Sequence, residues 1–169
     1  ITDDDGDTDT ATVTLNVTDE SKPTVSVQDG TVHESALSPD GSGGGVVTDT
    51  GSITVNVGSD TPPTVKVQNY DGTWETIATG GDTTVTGEFG DLIVTESSGS
   101  YSWSYALDGA KTHTKPTDNL KLTENFKVEV LDDEGDSTAT DGISAAETIT
   151  IDIMDDTPSA DDDGTFTVT

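Results

Sequence analysis

Apolar residues fall at every second position in short runs along most of this chain. "ATVTLNVT" (11–18) sets Ala11, Val13, Leu15 and Val17 between threonines and an asparagine. "PTVSVQ" (23–28), "SITVNV" (52–57), "PTVKVQ" (63–68), "ETITIDI" (147–153) and "TFTVT" (165–169) follow the same rule, and "YSWSYAL" (101–107) alternates aromatics with small polar residues. A period of two with β-branched residues predicts half-buried strands. A 3.6-residue pattern is almost absent. Glycine-containing breaks at 71–72, 80–81 and 108–109 predict hairpins and loops. Many short strands with frequent turns predict an all-β fold, an antiparallel β-sandwich.

Composition changes that picture in one respect. Val, Ile, Leu and Phe make up 34 of 169 residues, a thin supply for a core. There are 6 Lys, no Arg and 34 Asp+Glu, giving a formal net charge of −28. Chains this acidic with so few apolar residues border on disorder, so a further source of stability is expected. Without cysteine that source is no disulfide. A bound metal ion is the economical alternative, because its binding free energy acts as folding free energy. The same charge repels nucleic acid and anionic lipid, and no apolar stretch approaches the roughly 20 residues that span a bilayer.

The acids are not spread evenly. "DDDGDTD" (3–9) and "DDEGDSTATD" (132–141) each gather them around a glycine. Both open a shared grammar of acidic turn, alternating strand, two acids and proline, in 3–23 and again in 132–158, about 130 residues apart. Internal repetition at this spacing predicts tandem units. Residues 1–20 read as the last strand of one unit with its linker, 21–157 as one whole sandwich, and 158–169 as the linker and start of the next. The apolar phase of 52–68 resembles that of 11–28 without the acidic turn, and marks an internal strand pair.

These pieces, in this order, resemble the tandem immunoglobulin-like repeats of very large type I-secreted, RTX-type biofilm adhesins of Gram-negative bacteria. The resemblance is carried by "PTVSVQDGTVHESALSPDGSG" (23–43), "TGSITVNVGSD" (50–60), "GSYSWSYALDGAKTH" (99–113), "DNLKLTENFKVEVLDDEGD" (118–136) and "ETITIDIMDDTP" (147–158). It implies an immunoglobulin-like β-sandwich, calcium at or near the linkers, and a spacer role at the cell surface between neighbouring repeats of the same chain. Glu134 stands where Asp is commoner in such a turn.

Calcium takes 6–8 oxygen ligands, and an Asp-rich turn with a central glycine supplies both oxygens and a tight bend. The spacing excludes an EF-hand, since the first ligand position would then be Ile1 or Val130. Ligands must come from separate loops. With "FKVEVL" and "ETITIDI" as the last two strands, the 132–141 turn lies at the end where the first strand begins. Asp19 and Glu20 of the linker are then expected to meet Asp132, Asp133 and Asp136. At the opposite end, Glu34 is expected to meet Asp155 and Asp156. Asp3, Asp5 and Asp7 form the corresponding set for the preceding unit. The competing reading of every such cluster, Asp161–Asp163 included, is a solvated turn, and Asp29 and Asp60 read as turn caps.

Other chemistry is sparse. Tyr101, Trp103 and Tyr105 share one strand face and are expected in the core. Trp74, beside the Asp71-Gly72 turn with Tyr70 close by, is expected to cover an edge, or alternatively to stack on a sugar. The Gly-rich stretch 38–51 reads as a connector or the border of a binding site. His113 reads as a hydrogen-bonded loop residue, and Lys111 and Lys115 as local charge moderators. No Gly-x-Ser-x-Gly elbow, His-Glu-x-x-His helix or cysteine nucleophile points to an enzyme. The two functional classes in contention are a calcium-stiffened extender and a calcium-organised carbohydrate- or protein-binding module.

Overall fold

The computed structural model describes residues 1–2, 4–16, 23–37, 46–58, 61–114, 121–132 and 147–156. Its strands are β1 (Thr24–Val27), β2 (Gly30–His33), β3 (Thr48–Asn56), β4 (Thr64–Gln68), β5 (Trp74–Thr76), β6 (Asp82–Thr86), β7 (Gly90–Ser97), β8 (Ser100–Leu107), β9 (Lys121–Leu131) and β10 (Glu147–Met154). One sheet has the order β1-β3-β8-β7-β6 and the other β2-β10-β9-β4-β5. This is the two-sheet order of an immunoglobulin-like sandwich, with β6 added at the edge of one sheet and β2 and β5 at the two edges of the other.

The inward faces follow the predicted parity. Trp103 and Tyr105 of β8, Phe126 and Val128 of β9, and Ile149, Ile151 and Ile153 of β10 belong to one buried cluster. Tyr105 and Phe126 meet edge to face with ring centroids 6.1 Å apart, one from each sheet. The Trp103 indole covers Gly51, its cross-strand partner, and reaches Gly30 of the opposite sheet. A Cβ at Gly51 would lie 2.5 Å from the ring, so this seat admits only glycine without movement.

β1 and β2 are consecutive parts of one strand that changes sheet. β1 pairs antiparallel with the end of β3, from Thr24↔Asn56 to Val27↔Ile53. Gln28 N–H donates to Ser52 O at 3.1 Å, and further on His33 N–H donates to Val46 O at 2.7 Å, so the direction is kept. At Gly30 the strand joins the other sheet, where it runs parallel to β10 from Gly30↔Ile151 to Met154↔His33. Ten residues of extended chain span roughly 30 Å. The chain therefore enters the sandwich at one end, beside the end of β9, and leaves from β10 at the other.

Three expectations are corrected. The strands within 52–68 do not pair with each other: β3 and β4 lie in opposite sheets, because the intervening Pro62 and Pro63 carry the chain across instead of closing a hairpin. The Gly-rich stretch 38–51 is not all connector, since β3 already begins at Thr48. Its first residues are polar because Asp49 serves the backbone, accepting from Thr31 N–H at 2.7 Å and Thr50 N–H at 2.8 Å. Finally, residues 11–16 form no strand. Both sheets fill their registers from other segments, and without a ladder partner Val13 and Leu15 remain 88% and 82% exposed.

Candidate metal centre

The parallel register of β2 with β10 decides what meets at the end where the chain leaves. It places His33 opposite Met154, so the next residues, Glu34 and Asp155, emerge side by side although 121 positions apart. Glu34 opens a single 3-10 turn, Glu34–Ala36, closed by Leu37 N–H donating to Glu34 O at 2.8 Å. That turn folds the Glu34 side chain inward, where it is buried.

The connector after β8 brings the third group. Asp108 N–H donates to Phe89 O at 3.2 Å, which turns the chain over the end of the sandwich. The Lys111 ammonium pairs with the Asp108 carboxylate and lies 5.8 Å from the centroid of the Phe89 ring. Lys111 N–H then donates to Glu34 Oε1. His113 follows with its Nε2 3.3 Å from Glu34 Oε2, both side chains only 3% exposed. One donor atom each from Glu34, His113 and Asp155 lies within 4.8 Å of the others. Three chain segments thus converge two carboxylates and an imidazole.

The remaining predicted ligands divide clearly. Asp132 is buried where β9 ends, at the opposite end of the sandwich. Asp133, Asp136, Asp19, Glu20 and Asp3 lie outside the described residues, so the predicted meeting of the linker acids with the 132–136 turn does too. Asp5 and Asp7 are exposed in a small turn closed by the Thr2↔Thr8 bridge. Asp156 follows Asp155 but is outside the three-residue group. Asp29 accepts Thr150 N–H at 2.9 Å and ties β1–β2 to β10.

Two further buried carboxylates hold the interior together. Glu124 of β9 accepts the Tyr105 hydroxyl of the facing sheet at 2.6 Å and backbone N–H groups of Glu88 and Phe89. Burial, then this carboxylate, pushes the Tyr105 hydroxyl far above its ordinary pKa. Glu96 of β7 accepts Gly99 N–H at 2.6 Å and Gly80 N–H. Those two bonds, Gly99 first, hold its carboxyl below the usual range.

The sequence pairs Glu34 with Asp155 and Asp156 and leaves His113 only a loop role. The available signal was positional: "LDGAKTH" follows a strand whose end lies beside the start of β3, at the same end as Glu34. For calcium, the donor sets at the two ends differ in fit. At one end only Asp132 of the predicted oxygen ligands falls within the described residues, whereas the Glu34 group at the other mixes oxygen with nitrogen. Searches of protein-family models, curated proteins and solved structures gave no match for the chain.

Proposed function

We propose that this chain is an extender unit of a bacterial cell-surface adhesin, a spacer that holds adhesive parts away from a Gram-negative cell for attachment and biofilm formation. The observation that carries the reading is the path of the chain. It enters at the Asp132 end and leaves at the Asp155 end, so copies joined through the acidic linkers add their lengths instead of folding back. The repeated acid-strand-acid-proline grammar of 3–23 and 132–158 supports the same reading.

In this reading calcium is held by Asp132, Asp133 and Asp136 with Asp19 and Glu20 of the linker. Its two charges replace their mutual repulsion by shared coordination. Thermal unfolding across a calcium titration, with magnesium and EDTA controls, tests it. Binding to the folded state alone raises stability by about 2.7 kcal/mol at a hundredfold excess over Kd. Asp132→Ala is expected to lose most of the calcium-specific rise and Asp60→Ala little of it. An unchanged melting temperature, or equal losses in both variants, overturns the assignment.

A binding module is the second reading, and one observation favours it. Tyr70 and Trp74 flank the β4–β5 turn and stay 65% and 39% exposed, a pair of open aromatic faces. Glycan-array binding that disappears in Trp74→Ala would establish it. Silence on such arrays, together with a calcium-dependent rise in stability, leaves the extender.

A further inference from the structure

We propose that Glu34, His113 and Asp155 form a binding site for a zinc-class divalent ion, distinct from the calcium ligands of the acidic turn. Neither the extender reading nor calcium at the 132–136 turn requires this site. The first argument is donor type. Calcium and magnesium select oxygen, whereas imidazole with carboxylates suits zinc and its neighbours among the first-row metals. An all-oxygen ion gains nothing from a histidine brought into contact with Glu34 by a separate connector.

Geometry is the second argument. A tetrahedral zinc ion with bonds of roughly 2.0–2.1 Å sets neighbouring donors about 3.3 Å apart. Glu34 Oε2 and His113 Nε2 stand at 3.3 Å. The Asp155 donor atom lies within 4.8 Å of both and makes the third corner of the face. Three protein ligands leave a fourth position for water or for an oxygen of a neighbouring segment.

Support around the donors is the third. Ligating carboxylates in metal sites are themselves oriented by hydrogen bonds. Here Glu34 Oε1 accepts Lys111 N–H, which leaves Oε2 aimed at the imidazole. The connector that supplies that N–H is anchored by the Lys111–Asp108 pair and by Phe89. Two carboxylates and a neutral imidazole would also cancel the charge of one divalent ion, at a place where Glu34 and His113 are almost wholly buried.

The chain has two histidines, and His33, the neighbour of Glu34, gives the comparison for a ring close to the site but outside the ligand set. The full chain, stripped with EDTA and returned to excess calcium, is titrated with zinc while the imidazole resonances are followed by NMR, with His33→Gln giving the assignment. Expected is a shift of the His113 signals complete at one equivalent, and a smaller one for His33, which adjoins Glu34 without being a ligand. His113→Gln is expected to weaken zinc binding by more than about tenfold, since loss of outer-shell support alone costs that much, and to leave the calcium response unchanged. If the wild-type His113 signals stay in place, the three groups are an ion-paired clasp and the proposal falls. It falls equally if folded His113→Gln binds zinc as tightly as the wild type, because the ion is then held by surface carboxylates. Should that variant not fold, the wild-type resonances decide alone. Loss of the calcium response with zinc binding intact would defeat only the calcium assignment.

Discussion

Glu96 shows how a single acid is made useful inside this sandwich. It lies on the inward face of β7, and its carboxylate collects the amides of Gly99 and Gly80, closing the β7–β8 turn onto the β5–β6 connector. Because its folded pKa is depressed, the stability it contributes is present above the unfolded carboxyl value of about 4.3 and lost as pH falls through the folded value. Glu96→Gln is therefore expected to be less stable than the wild type near neutral pH, and the gap should narrow below about pH 4.3. Urea unfolding of both proteins at pH 7 and at pH 3 measures it; a gap independent of pH rejects the account. This role is not legible in the sequence, since nothing in "VTESSGSYS" separates an inward glutamate from an exposed one until the register of β7 is known. The surface acids were easier to read. Their clustering around glycine is visible directly, and Asp132, although buried, sits at the predicted end.

At the scale of the element, legibility followed the strength of alternation. The strands within 23–28, 63–68, 101–107 and 147–153 appear close to where the pattern put them, because one clean face of each meets the core. β2 (Gly30–His33) offers a single inward valine, Val32, and β5 has three residues, too few to display a period. β7 hides its period in the run Leu92-Ile93-Val94, where Leu92 and Val94 are buried and Ile93 faces outward. The reverse error, at 11–16, has the complementary cause: alternation creates a face, and only a partner makes it a strand. Gly51 is the clearest local constraint. Its place under the Trp103 indole leaves no room for a methyl group, so Gly51→Ala is expected to cost about 1–3 kcal/mol as an overpacked site. Gly109→Ala meets nothing within 4 Å and should stay within about 0.5 kcal/mol of the wild type. Denaturant unfolding of the pair compares them; equal effects would mean that the indole moves aside freely.

For the whole molecule, the sequence predicted two sheets and a polar end at each side, and left the pairing of first and last strands open. That pairing has a mechanical consequence. β2 and β10 lie side by side and parallel, with the start of one and the finish of the other pointing to opposite ends. A pull on the two ends of the chain slides these strands past each other, so their hydrogen bonds bear the load together. A pull across the β7–β8 hairpin, where Asp91 faces Ala106, would part the bonds one after another. The chain has no cysteine, so paired cysteines can be introduced as handles at either place. Single-molecule stretching is expected to need a markedly larger force through residues 23 and 156 than through 91 and 106. Tension along its own axis is then the load this sandwich resists best.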